Sequence, residues 1–175
     1  MRNTVITKIF SVNTALLILW FAICAGAPFA FVKMSRAFPT DSESTLIDDR
    51  LLDAIIKVES SNNPRAVNRR TNARGLTQIR SIAWRDLRKH FGHKYSKYNY
   101  SRHIYNPAIA REAGRDYLRI LEKYLKAKRI PLTHQNLLTA YVWGPDNLHK
   151  YGSKRAPKAG KQYVAKVMRM NSAED

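Results

Sequence analysis

Between Asp48 and Ser60 the apolar residues recur at helical rather than strand spacing. Wound at about 100° per residue with Glu59 at zero, Leu52 falls at about +20° and Ile55 at about −40°. Ile56 falls at about +60° and Leu51 at about −80°, while Arg50, Asp53 and Lys57 occupy the far side. The spacing predicts a helix over Asp48–Ser60, ended by Asn62-Asn63-Pro64. It also places a carboxylate, Glu59, in the middle of the apolar stripe.

Residues 61–74 read as a basic, polar loop. A second helix is expected from Leu76 to His90, with Ile79, Ala83, Leu87 and Phe91 on one face. Gly92 to Arg102 reads as loop. Asn106-Pro107 is an N-cap followed by proline at the first helical position, and the helix it opens runs to Lys128. Its stripe is Ile109, Ala113, Tyr117, Ile120, Leu121 and Tyr124. A further helix spans 134–143, stopped by Gly144-Pro145, and a last one covers 160–170. No alternating strand pattern of useful length is present. The class is mainly α, with at most a small β-hairpin within 61–80.

The apolar pattern at the N-terminus is of another kind. Residues 9–32 carry no charge and come after a short segment containing Arg2 and Lys8. Ala25-Gly26-Ala27 resembles a signal-peptide cleavage site, so residues 1–35 read as an export signal. Pro28 counts against cleavage there, and a retained anchor is the alternative, since spanning a bilayer takes about 20 residues. A lipoprotein signal ending at Cys24, the one cysteine, fits less well because Phe21-Ala22-Ile23 is not a small-residue run. Each reading places the rest of the chain outside the cytoplasm, in the periplasm or cell envelope. Residues 36–46 form a linker, 47–170 one domain and 171–175 a tail. The 175 residues less the export segment leave about 130–140, enough for a single core.

Charge narrows the partner. The formal net charge is +18. Residues 1–60 hold six Lys/Arg and six Asp/Glu, so the excess lies entirely in 61–175, with 25 basic and 7 acidic residues. A domain this basic favours a polyanion: nucleic acid, anionic lipid or an acidic wall polymer. Arg65, Arg69, Arg70 and Arg74 with Tyr95, Tyr98 and Tyr100 form a basic, aromatic set of the kind nucleic acid uses. Export argues against nucleic acid as the partner. One cysteine excludes an internal disulfide, and His90, His93 and His103 lack an accompanying acid or cysteine, so no metal site is predicted.

Glu59 carries the chemistry. Apolar surroundings disfavour the ionised carboxyl and raise its pKa, which suits it to hold a proton at neutral pH and deliver it to a leaving oxygen. Two-carboxylate glycosidases need a second acid. Between Glu59 and Glu112 the only other acid is Asp86, set among Arg85 and Arg88 on a predicted helix. The pattern points to chemistry run by one carboxyl group.

Five short motifs, in order, carry a resemblance: Glu59-Ser60, Asn63-Pro64 with Ala66-Val67, Gly75-Leu76-Thr77-Gln78, Ala140-Tyr141-Val142-Trp143-Gly144, and Tyr163-Val164. Together they make residues 46–169 similar to the soluble lytic transglycosylase (SLT) family. The resemblance implies a lysozyme-like fold, with several helices around a glycan-binding cleft. It implies cleavage of the β-1,4 bond between N-acetylmuramic acid and N-acetylglucosamine in peptidoglycan, with a 1,6-anhydro product and no cofactor. Glu59 would be the catalytic acid and then base. Ser60, Asn68, Gln78, Tyr141 and Tyr163 would contact substrate or position the acid. The chain departs from the family pattern at Thr77, where the family has Met, and at Asn68, where it has Ser. It also has Val142 in place of an Asn, and Ala159-Gly160 in place of Glu-Thr. By analogy, small members of the family accompany envelope-spanning secretion, conjugation or pilus assemblies. The competing readings are a peptidoglycan-binding component with little or no activity, and a hydrolytic lysozyme.

Overall fold

The computed structural model describes residues 46–173. The predicted export segment or anchor, nearly all of the linker and the end of the tail lie outside them. Eight α-helices, a 3-10 turn at Ser153–Arg155 and one two-stranded antiparallel sheet make up the described chain, the mainly helical class that the apolar spacing predicts.

Helix α1, Asp49–Ser60, is started by Asp48, whose carboxylate accepts the Leu51 N–H at 2.7 Å. Its apolar stripe is the predicted one: Leu51, Leu52, Ile55 and Ile56 are all buried. Ser61 and Asn62 adopt left-handed backbone angles, with φ 52° and 65°, and end the helix within one residue of Glu59. Strands β1, Val67–Asn68, and β2, Ala73–Arg74, then form the hairpin, with Val67 opposite Arg74 and Asn68 opposite Ala73.

The second helix, α2, begins at Ser81 and runs to His90, later than the predicted start at Leu76. Residues 75–80 instead form a turn, because Gly75 and Gln78 have positive φ and Arg74 bridges Ile79 in extended geometry. The predicted loop 92–102 holds two four-residue helices, α3, Gly92–Tyr95, and α4, Tyr100–His103. Helix α5, Pro107–Ala127, is capped by the Asn106 side chain on the Ile109 N–H, as its sequence predicts. Helix α6 is His134–Trp143, capped by Thr133. Gly144-Pro145 stops α6 but does not end helical structure. Pro145 sits in the first turn of a new helix, α7, Pro145–Tyr151. Helix α8, Lys158–Ser172, closes the described chain. No helix among the described residues is long and apolar enough to cross a membrane.

Two apolar clusters form the core. The first joins α1, α6 and α8 to Leu118, Leu121 and Leu125 of α5. The second joins α2, Tyr95 and Ile104 to Ala110 and Ala113 of α5. Helix α5 thus lies between the two, which is why its buried face is wider than the single predicted stripe and includes Asp116 and Glu122. Asp116 is 1% exposed and fully engaged. It accepts from the Tyr95 hydroxyl at 2.7 Å, from Lys94 at 2.6 Å and from Arg119 at 3.0 Å, tying α3 to α5.

Candidate active site

Glu59 stands in the last turn of α1, where the chain leaves the core for the left-handed turn at Ser61. The surrounding apolar side chains and the packing of α8 against α1 strip water from its carboxyl. Burial pushes its pKa up to about 7, and an interaction with the Tyr163 hydroxyl opposes the rise. No second carboxylate among the described residues contributes to that shift.

Two phenols converge on this carboxyl. Tyr163, on α8, has a buried hydroxyl that makes no hydrogen bond among the described residues and is close enough to Glu59 to influence its titration. Tyr141, on α6, donates to the Thr77 carbonyl at 2.5 Å and meets Tyr117 of α5 edge to face at 5.7 Å. Burial, and next the Glu59 charge, hold both phenols well above the ordinary tyrosine range. They remain neutral hydrogen-bonding groups at any working pH.

The Gly75–Gln78 turn forms the neighbouring wall. Gly75 has φ 74°, and a Cβ there would lie 2.3 Å from the Ile104 carbonyl, so only glycine fits. The Gln78 side chain is turned inward to its own loop. Its Nε2 donates to the carbonyls of Gly75 and Ala66 at 3.0 and 3.2 Å, stapling the turn to the residues before β1. Thr77, fully buried, donates to the Ala110 carbonyl at 3.0 Å and so fastens the turn to α5. Ser60 gives its hydroxyl to the Ile56 carbonyl at 3.0 Å within α1. The Asn68 side-chain oxygen accepts the N–H groups of Arg70 and Thr71, which shapes the exposed hairpin tip.

Glu59, Tyr141 and Tyr163 are therefore brought together, and Gln78 builds the adjoining turn. Ser60 and Asn68 serve the local backbone. Beside Tyr141 opens a cavity of about 310 Å³, whose walls include Arg80, Asp86, Tyr117, Val142, Trp143 and Asp146. Val142 and Trp143 belong to a quoted motif and Asp86 is singled out only as an isolated acid, while Tyr117 reads in the sequence as an ordinary member of the α5 stripe. Its walls come from α2, α5 and the α6–α7 junction, elements distant in sequence, so no local motif announces the cavity.

A family model, Transglycosylase SLT domain, matches residues 38–164. The chain is 30% identical over 122 residues to the membrane-bound lytic murein transglycosylase E of Buchnera aphidicola, covering 69% of this chain and 54% of that one. It is 40% identical over 101 residues to the endo-type membrane-bound lytic murein transglycosylase A of Cronobacter sakazakii, covering 56% and 48%. The chain spans about half the length of these curated relatives. No solved structure is a significant match. The family match takes in Glu59, the Gly75–Gln78 turn, Tyr141 and Tyr163, and on its extent the chain belongs to the SLT transglycosylase domain family.

Proposed function

We propose that this domain is a peptidoglycan lytic transglycosylase that cleaves the bond between N-acetylmuramic acid and N-acetylglucosamine and leaves a 1,6-anhydro end. The observation that carries the reading is a single shielded carboxyl, Glu59, with a pKa of about 7 and no second acid acting on it. A hydrolytic pair of carboxylates would need a partner acid beside it.

In the first step the Glu59 carboxyl gives its proton to the glycosidic oxygen as the bond from the muramyl C1 breaks. The bond electrons leave with the N-acetylglucosamine oxygen, and oxocarbenium character develops at C1. In the second step the Glu59 carboxylate takes the proton of the muramyl C6 hydroxyl while that oxygen bonds to C1. The proton lost in the first step is thereby regained, and no water is consumed. One group acting first as acid and then as base works best with a pKa near the working pH, which burial supplies. The neutral phenol of Tyr163 is suited to orient the carboxyl, whereas Tyr141, whose one proton goes to the Thr77 carbonyl, can offer only its oxygen as an acceptor.

The reading puts the domain in the cell envelope, where its substrate lies. The N-terminal apolar segment and the names of the membrane-bound relatives support that location. Mass spectrometry of muropeptides released from purified peptidoglycan tests the reaction. The expected products are lighter by one water than those of a hydrolase. Hydrolytic products, or none beside an active control enzyme, would overturn it.

A further inference from the structure

We propose that the cavity between α2, α5 and the α6–α7 junction binds the peptide portion of the substrate, through a free ammonium and a free carboxylate on that peptide. The inference rests on the peptidoglycan reading above and names a second recognition element beside the Glu59 site.

The charge pattern carries it. Five described acids lie beyond residue 60. Glu112 and Asp116 pair with Lys94, Asp116 also with Arg119, and Glu122 with Lys126. Asp86 and Asp146 are the two that make no ion pair among the described residues, although the chain carries 31 Lys and Arg. Both line this one cavity. Asp146 accepts a hydrogen bond from the Tyr124 hydroxyl at 2.6 Å, which fixes its carboxylate at the rim. Arg80, on the same cavity, likewise forms no ion pair among the described residues, so an acid–base set faces a common space without neutralising itself. The Tyr117 hydroxyl senses all three. After burial, Asp86 is the largest influence raising its pKa to about 12, Arg80 opposes, and Asp146 adds to the rise.

A strand of N-acetylated sugars offers no cation to two carboxylates. The peptides that a peptidoglycan strand carries offer both a free amine and a free carboxylate. The ammonium matches Asp86 and Asp146, the carboxylate matches Arg80, and the apolar side chains of Ile82 and Val142 in the same lining suit small aliphatic residues. A volume of about 310 Å³ lies at the small end of ligand sites, the scale of an amino-acid group rather than of a long peptide. Tyr141 borders both this cavity and the Glu59 carboxyl, so the two sites can hold one substrate together.

The test uses the full chain carrying Glu59→Gln, which removes turnover from the measurement. Its affinity is measured for soluble glycan strands that keep their peptides and for the same strands stripped by an amidase. Peptide-bearing strands are expected to bind about tenfold more tightly, the scale of one or two charge-assisted hydrogen bonds. That preference is expected to shrink to within about twofold in Asp86→Asn/Arg80→Gln and with added salt. Equal affinity for the two strand types, or a preference that survives the double substitution, would overturn the proposal. Failure of the lytic reading shows separately, as the absence of anhydro products from the wild-type chain.

Discussion

Replacing Glu59 by Gln tests the physical claim beneath the chemistry, independently of any substrate. The largely shielded carboxyl has its pKa raised from 4.5 to about 7. Folding therefore favours its protonated form. Its contribution is intact below pH 4.5 and is lost as pH rises through about 7. At about 1.36 kcal/mol per unit, the wild type should lose roughly 3 kcal/mol of stability between pH 4 and pH 8.5 that the Gln variant keeps. The remaining titrating groups are common to both proteins and cancel in the difference. Urea unfolding of both proteins across that range measures it, provided the slopes stay equal. The variant should match the wild type within the small cost of the substitution at pH 4 and exceed it at pH 8.5. A difference that stays flat with pH, or that widens toward acid, would refute the claim that burial holds the proton on Glu59.

Turnover should track the same group: kcat/KM measured against pH should fall about tenfold per unit above about pH 7, as the acid form of Glu59 disappears. A profile still rising at pH 8.5 would move the acid elsewhere. Gly114→Ala places a Cβ 2.5 Å from the Thr77 methyl, and should cost about 1–3 kcal/mol by overpacking. Thr77→Ser, which deletes that methyl and keeps the hydroxyl, should recover part of the loss in a double-mutant cycle of thermal unfolding. Asp116→Ala leaves Lys94, Arg119 and the buried Tyr95 hydroxyl without their shared acceptor. It should cost about 3–5 kcal/mol in denaturant unfolding, and a loss under about 1 kcal/mol would mean that the cluster contributes little.

The sequence shows α1 and its displaced acid plainly, because that helix buries one face only and its period is uninterrupted from Leu51 to Glu59. The same reasoning misreads α5. A helix lodged between two clusters buries more than one face, so Asp116 and Glu122 look like solvent positions until their partners are known. Gly144-Pro145 is a stop and a start at once, and the pattern reveals only the first. Leu76 to Arg80 has helical periodicity, but Gly75 and Gln78 hold left-handed angles that tertiary hydrogen bonds from Gln78 to Ala66 and Gly75 stabilise. Glu59 is legible because its own neighbours in sequence bury it. Tyr141 and Tyr163 are visible through short motifs, whereas Arg80, Asp86 and Asp146 come to line one cavity only when α2 and α7 both pack against α5.

The position of α5 has a consequence for how the molecule opens. Leu76 and Tyr117 pack against both apolar clusters, and Leu76 belongs to the turn that carries Thr77 and Gln78. Neither cluster can melt alone without releasing a shared wall of the other. Amide protons in α2 and α8, which belong to different clusters, should therefore exchange through one cooperative opening with a common free energy. The turn beside Glu59 is clamped between the two clusters, so its geometry should persist through every fluctuation short of global unfolding.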